Sequence, residues 1–228
     1  MLKGGNKMNH FIIIEGPDFS GKSTQIDMID KRELYHDHNV FFTREPGSYL
    51  PDSAEECEAI REKILFGNNT LYEEASLFAQ SRYLHTKEIV DRFNRYKNIT
   101  IISDRYIISS LAYQGYAQGM TKEQVYELNK PVLDLLKDND IMIHCIKFVM
   151  PQEEWQKRRN KVSAQRALDE IEKKDISKQI YDFFNNDNIF NEWTKDLNMK
   201  VYNINAQYDK ETVYKEFKNT IKMIREEI

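Results

Sequence analysis

Apolar and polar positions along the chain alternate between two periods. Short apolar or β-branched runs at 10–15, 39–43, 99–103, 141–148 and 200–204 predict strands. Helical spacing fills the intervals. Leu71, Ala75, Phe78 and Ala79 form one apolar face that continues towards Ile89 and Phe93. Ile176, Ile180 and Phe184 form a second, and Val213, Phe217, Ile221 and Ile224 a third. Strands that alternate with helices imply right-handed crossovers and a parallel sheet covered on both sides, a three-layer α/β/α architecture. Between Trp155 and Lys174 the pattern is polar, basic and aperiodic. That segment reads as a mobile cationic lid over about 156–174, carried by one domain spanning 9–228.

In such sheets ligands bind beyond the carboxyl ends of the strands. Three chemically loaded segments follow strand ends here: 16–24, 43–47 and 104–105. The first, Gly16-Pro-Asp-Phe-Ser-Gly-Lys-Ser23, follows the apolar run Phe11-Ile-Ile-Ile14 and precedes a helical stretch. It has the form G-x-x-x-x-G-K-[ST], the phosphate-binding loop, in its strand–loop–helix setting. Gly16 and Gly21 allow the backbone to wrap an anion, so that N–H groups from Asp18 to Thr24, including those of Phe19 and Ser20, can converge on phosphate oxygens. Lys22 adds a point charge for the outer phosphates, and the Ser23 hydroxyl can ligate Mg²⁺. The motif implies a bound nucleoside triphosphate and a sheet of the P-loop NTPase type.

After the second strand, Thr43-Arg-Glu-Pro-Gly47 sets a guanidinium, Arg44, before a Pro-Gly turn, where it can hold a substrate phosphate. After the third, Asp104 is positioned to partner Mg²⁺ and Arg105 to clamp a transferring phosphoryl group. Phe78 and Arg82, four apart, offer an aromatic platform beside a planar donor, a pair suited to a nucleobase. Ser110 with Gln114 repeats that spacing, as does Ser109 with Tyr113.

Composition narrows the classes. The 228 residues are 40% apolar and 31% charged, which reads as a globular chain. A net charge of −4 gives no footprint for nucleic acid, and no apolar run reaches the length of a membrane span. Cys57 and Cys145 lack zinc spacing and are too few for a disulfide framework, which fits a reducing, cytoplasmic setting. Residues 1–8 read as a disordered leader, too short and polar for a signal peptide.

Taken together, Gly21-Lys-Ser-Thr24, Thr43-Arg-Glu-Pro-Gly47, Leu77-Phe-Ala-Gln-Ser-Arg82 and Asp104-Arg-Tyr-Ile-Ile-Ser-Ser-Leu-Ala-Tyr-Gln114 resemble the thymidylate kinases. Arg166-Ala-Leu-Asp-Glu-Ile-Glu172 resembles the end of that family's lid. The resemblance implies ATP and Mg²⁺ as donor, dTMP as acceptor, and a homodimer. It implies that Asp18 faces the 3′-hydroxyl and the reacting centre, and that Arg44 and Arg105 hold the acceptor phosphate. Phe78 would stack on thymine and Arg82 reach its carbonyl, with Ser110 and Gln114 bordering the base and Tyr113 crowding C2′. Adenine would pack near the lid and the loop at 203–207. The lid would supply a catalytic charge from Arg166 or Arg158. Leu65, Phe66, Leu84 and Phe93 are apolar residues available to a dimer interface.

The sequence departs from the family at Ser81, where members often carry Asp, and at Phe19, where one subgroup carries arginine. The alternatives are a kinase of the same fold with a broader or different deoxynucleoside acceptor, a nucleotide-binding switch without transfer, and a nucleic-acid ATPase.

Overall fold

A computed structural model of the chain describes residues 8–29, 39–163 and 176–226. Five strands, β1 (His10–Glu15), β2 (Val40–Arg44), β3 (Thr100–Asp104), β4 (Ile143–Val149) and β5 (Met199–Asn205), form one parallel sheet in the order β2-β3-β1-β4-β5. Each observed strand lies within two residues of its predicted bounds. β1 sits centrally because it is buried on both faces, a continuous apolar run ending in Glu15. The strand order reverses around β1, which puts the ends of β1 and β3 at the switch point where ligands enter.

Helices α1 (Lys22–Ile29), α6 (Gln152–Ser163) and α9 (Lys210–Glu226) cover one face, where Ile12, Ile14, Trp155 and Phe217 share a core. The other face carries α3 (Leu71–Arg95), α4 (Ile107–Ser110), α5 (Lys122–Asp138), α7 (Ser177–Asn185) and α8 (Asp187–Thr194), packed on Phe11 and Ile13. Helix α2 (Ala54–Phe66) lies against α3. The start of α3 is fixed locally: Thr70 accepts from the Glu73 N–H while the Glu73 side chain accepts from the Thr70 N–H. After α4 the backbone continues as a π-helical stretch, Leu111–Ala117. Gly115 lets that stretch pack closely, since a Cβ there would lie 2.5 Å from the Trp193 ring.

Two expectations change. The basic segment read as aperiodic is helical through Ser163 as α6; its remainder, with Arg166, lies outside the described residues. The helix shows no apolar stripe because its inner surface lies over the phosphate loop, where Arg158, Lys161 and Val162 line a polar cavity and, among its described side chains, Trp155 alone is buried. Of the four residues offered for a dimer surface, Phe93 belongs to the core and Leu65 lines a cavity, while Leu84 is half-buried and Phe66 exposed. Residues 1–7 of the expected leader lie outside the described residues. Among the described residues no helix is long and apolar enough to cross a membrane.

Candidate active site

The loop after β1 takes its shape from glycine. Gly16 has φ +145°, and a Cβ there would lie 2.7 Å from the Phe148 carbonyl oxygen, so no side chain fits. Lys22 folds back over the loop and donates to the carbonyls of Gly16 and Pro17, both at 2.8 Å. Burial, with the Arg105 charge beside it, lowers its pKa to about 8. Trp155 closes the loop from above, donating from Nε1 to the Asp18 carbonyl at 2.9 Å. Arg158 reaches the same region, donating to the Ala206 carbonyl at 2.7 Å and lying against Gly21.

Arg105 is the pivot of the site. Its φ of +69° is uncommon for a residue with a side chain and represents backbone strain that the surroundings must hold. They do so from Glu15. One carboxylate oxygen accepts the N–H groups of Tyr106 (2.8 Å) and Ser109 (3.2 Å), and the other accepts the Ser109 hydroxyl (2.8 Å). Ser109 Oγ in turn accepts from Arg105 at 3.1 Å. Complete burial raises the Glu15 pKa to about 7 against the pull of Arg105 and these hydrogen bonds.

The Arg105 guanidinium donates to Asp18 and lies 5.1 Å from the centre of the Tyr113 ring. Tyr113 donates to the other Asp18 oxygen at 2.6 Å. Burial pushes the Asp18 carboxyl upward, but Arg105, Lys22 and the Tyr113 hydroxyl outweigh it and hold the group below the ordinary carboxylate range. Ser23 Oγ lies 3.5 Å from Asp104 Oδ2, and Asp104 Oδ1 is buried with no partner among the described residues.

Two cavities flank this cluster. One, of about 550 Å³, lies over the phosphate loop and is lined by Phe19, Gly21, Lys22, Thr24 and Arg158. The other, of about 630 Å³, runs towards α3 and is lined by Arg44, Arg61, Phe78, Ser110, Tyr113 and Gln114. Asp18, Ser23, Asp104 and Arg105 line both. Arg44 is held by Glu58 at 2.8 Å and lies over the Tyr49 ring, with its Nε buried and unpartnered among the described residues.

Arg82 stands apart from the expectation that it reaches into the cleft. It is fully buried and lines neither cavity. Its donors go to Glu45 (2.6 Å), Asn129 (2.6 Å), Ser110 Oγ (3.1 Å) and the Tyr106 carbonyl (3.4 Å), because a guanidinium removed from water must satisfy its N–H groups locally. Ser110 therefore stands between Arg82 and the cleft. Phe78, half-buried, lines the cleft rather than the core.

Sequence reasoning missed Glu15, Glu45, Arg61, Glu74 and Trp155. Glu15 carried a signal, as an acid ending an otherwise apolar buried strand, and Glu45 stood inside the Thr43–Gly47 segment with no role given to it. Arg61 donates to the Pro46 carbonyl at 2.7 Å, and burial together with the neighbouring Arg44 charge lowers its pKa.

A phosphate loop at the switch point of a parallel sheet, joined by a shared wall to a second cation-lined cleft, is the arrangement of a P-loop phosphotransferase. The sequence profile described as "Thymidylate kinase" matches residues 14–216. The thymidylate kinase of Mycoplasmoides gallisepticum is 33% identical over 218 residues, 94% of this chain and 95% of that protein. That of Staphylococcus haemolyticus is 44% identical over 124 residues, a match spanning 54% of this chain and 57% of that protein. The crystal structure of thymidylate kinase from Ehrlichia chaffeensis superposes with a TM-score of 0.61 at 25% identity, covering 95% of this chain and all of that one. The chain belongs to the thymidylate kinase family, whose members are ATP-dependent phosphotransferases acting on dTMP.

Proposed function

We propose that this chain transfers the γ-phosphoryl group of Mg·ATP to dTMP, giving dTDP and ADP, with ATP in the cavity over the phosphate loop and dTMP in the larger cleft. The observation that carries this reading is the wall of Asp18, Ser23, Asp104 and Arg105 common to both cavities. With the two ligands seated so, their phosphates meet at one shared cation, Arg105.

An oxygen of the dTMP phosphate attacks the γ-phosphorus as the bond to the β-bridging oxygen breaks. That oxygen is already anionic, so no general base is needed, and catalysis reduces to positioning and charge neutralisation. Lys22 and Arg105 supply fixed positive charge, and Arg44 holds the acceptor phosphate. Asp18 orients Arg105 and meets the 3′-hydroxyl. Phe78 stacks on the base, and Tyr113 walls off C2′. Ser23 and Asp104 suit Mg²⁺: one hydroxyl and one carboxylate with a buried, unpartnered oxygen match an ion that keeps several waters and leans on phosphates. Among the described residues no cluster of three or more His, Cys, Asp or Glu offers an all-protein cage instead. Held by Ser23 and Asp104, Mg²⁺ would supply charge neutralisation at the phosphate oxygens.

Arg158 belongs to the ATP side of the lid, and Arg166 supplies the charge needed only during transfer. We read residues 9–228 as one kinase domain acting as a homodimer, with exposed Phe66 at the interface. Sedimentation equilibrium at micromolar protein would show twice the 27.2 kDa chain mass, and a single species at the chain mass excludes the dimer.

A panel of nucleoside monophosphates with Mg·ATP, read as ADP release, tests the function. The expected result is the highest kcat/KM for dTMP; faster turnover of dCMP, dGMP or thymidine overturns the acceptor assignment.

A further inference from the structure

We propose that Glu74, which touches neither substrate cavity, is the residue that makes the cleft read thymine rather than cytosine, by fixing which end of the Gln114 amide faces the base. The inference rests on dTMP being the acceptor and deepens that reading.

Gln114 and Ser110 lie one helical turn apart on the segment after Arg105, and both line the cleft. Each has a partner behind it that leaves only one hydrogen-bonding sense for the ligand. Gln114 Nε2 donates to Glu74 Oε1 at 3.0 Å, and both side chains are buried. An ionised carboxylate only accepts, so it selects the NH₂ end of the amide and turns the carbonyl oxygen away from itself. That oxygen has no protein partner among the described residues. Ser110 Oγ accepts from Arg82 at 3.1 Å, and a guanidinium only donates. One serine lone pair is thereby occupied, and the hydroxyl proton is free to be given elsewhere.

The cleft therefore presents a donor at Ser110 beside an acceptor at Gln114. Thymine offers the complement on its pairing edge: the O4 carbonyl accepts and N3–H donates. Cytosine offers the reverse, an amino donor at C4 and an acceptor at N3. It would set its N3 lone pair against the Gln114 carbonyl. A buried polar site with the wrong polarity rejects its ligand far more strongly than an apolar pocket of the wrong size. Discrimination is thus built one layer behind the contact, where Glu74 on α3 holds the amide in one of two nearly isosteric orientations.

Glu74→Gln tests this. A neutral amide in that place can donate as well as accept, so Gln114 can turn over and offer its NH₂ to cytosine N3. Measured as kcat/KM at saturating Mg·ATP, the dTMP:dCMP ratio should fall by about ten- to a hundredfold, the range expected for one buried polar mismatch. The effect should vanish in a Gln114→Ala background, where there is no amide left to orient. Glu74→Asp, still a carboxylate, should restore most of the preference. Should Glu74→Gln not fold, as judged by circular dichroism, Glu74→Met carries the same expectation with an apolar side chain of similar volume.

A ratio within twofold of wild type in Glu74→Gln overturns the assignment. So does an equal loss of ratio in the Gln114→Ala background, which would mark Glu74 as merely structural. A wild-type protein that favours dCMP overturns the acceptor reading, and this assignment with it. Wild type favouring dTMP while Glu74→Gln leaves the ratio untouched overturns this assignment alone.

Discussion

Tyr113 does two separable things, and two substitutions pull them apart. Its hydroxyl donates to Asp18 at 2.6 Å, and its ring lies under the Arg105 guanidinium and is almost wholly buried. Tyr113→Phe removes the hydroxyl alone. A hydrogen bond to a charged group contributes about 1.5–3 kcal/mol, and the Asp18 side chain, at 26% exposure, places this one near the lower end. A loss of about 1.5 kcal/mol in a chain of this size lowers Tm by roughly 3–6 °C. Tyr113→Ala also removes the buried ring, which costs about 3–5 kcal/mol in cavity and transfer terms, so its melting point should fall by at least roughly 6 °C.

Sugar selectivity should follow a different order. If the ring is a steric wall at C2′, dTMP is preferred over its ribose counterpart in wild type and in Tyr113→Phe alike, within about twofold. Tyr113→Ala should relax that ratio by at least about tenfold, since removing a wall admits a hydroxyl that was sterically excluded. The assays are thermal melting and kcat/KM for the two acceptors at saturating Mg·ATP. An unchanged ratio in Tyr113→Ala takes the ring out of the sugar pocket. A ratio that relaxes as far in Tyr113→Phe as in Tyr113→Ala would show that the Asp18 hydrogen bond, not bulk, sets the preference.

Glu15 holds its proton to about pH 7 when folded, against 4.5 ordinarily, so the folded chain binds the extra proton between those values and stability falls as pH rises through that window. Glu15→Gln keeps an oxygen for the Tyr106 and Ser109 N–H groups, and its melting temperature should be flatter between pH 4.5 and 7; a slope equal to wild type rejects the assignment. Asp104→Asn should raise the Mg²⁺ concentration for half-maximal activity by about tenfold, read from a metal titration, and an unmoved midpoint removes Asp104 from the ion. Arg158→Ala should raise KM for ATP severalfold with little change in kcat. Arg166→Ala should lower kcat by roughly a hundredfold with dTMP affinity intact, and near-normal kcat in both variants means the lid carries no catalytic charge.

The parts of the fold and site legible in the sequence are those whose physics is local. A buried parallel strand is a continuous apolar run, so β1 and β4 could be read directly. The phosphate loop is legible because glycine, lysine and hydroxyl must occur at fixed spacing along one turn. The parts that escaped depend on partners far along the chain. Trp155 closes on the Asp18 carbonyl across 137 positions, and Glu74 meets Gln114 across 40. No window of sequence contains either pair. Arg82 is a subtler case. Its spacing from Phe78 placed both on one helix face, but the register cannot say that Glu45 and Asn129 lie there to receive the guanidinium before it reaches the cleft. Helix α6 carries no apolar periodicity to read, because the surface it covers is a nucleotide-sized polar cavity.

The wall common to both cavities also divides the molecule into parts that can change alone and parts that cannot. Phe78, Ser110 and Gln114 line the larger cleft only, and Gly21, Thr24 and Arg158 the smaller one only. Substitutions at either end can drift towards a new base or a new nucleotide donor while the reacting phosphates keep their surroundings. Asp18, Ser23, Asp104 and Arg105 have no such freedom, because each serves two ligands at once and an adjustment that suits one is felt by the other. Inherited variation, and laboratory redesign of acceptor choice, should therefore accumulate at the two far ends and leave the seam between them still.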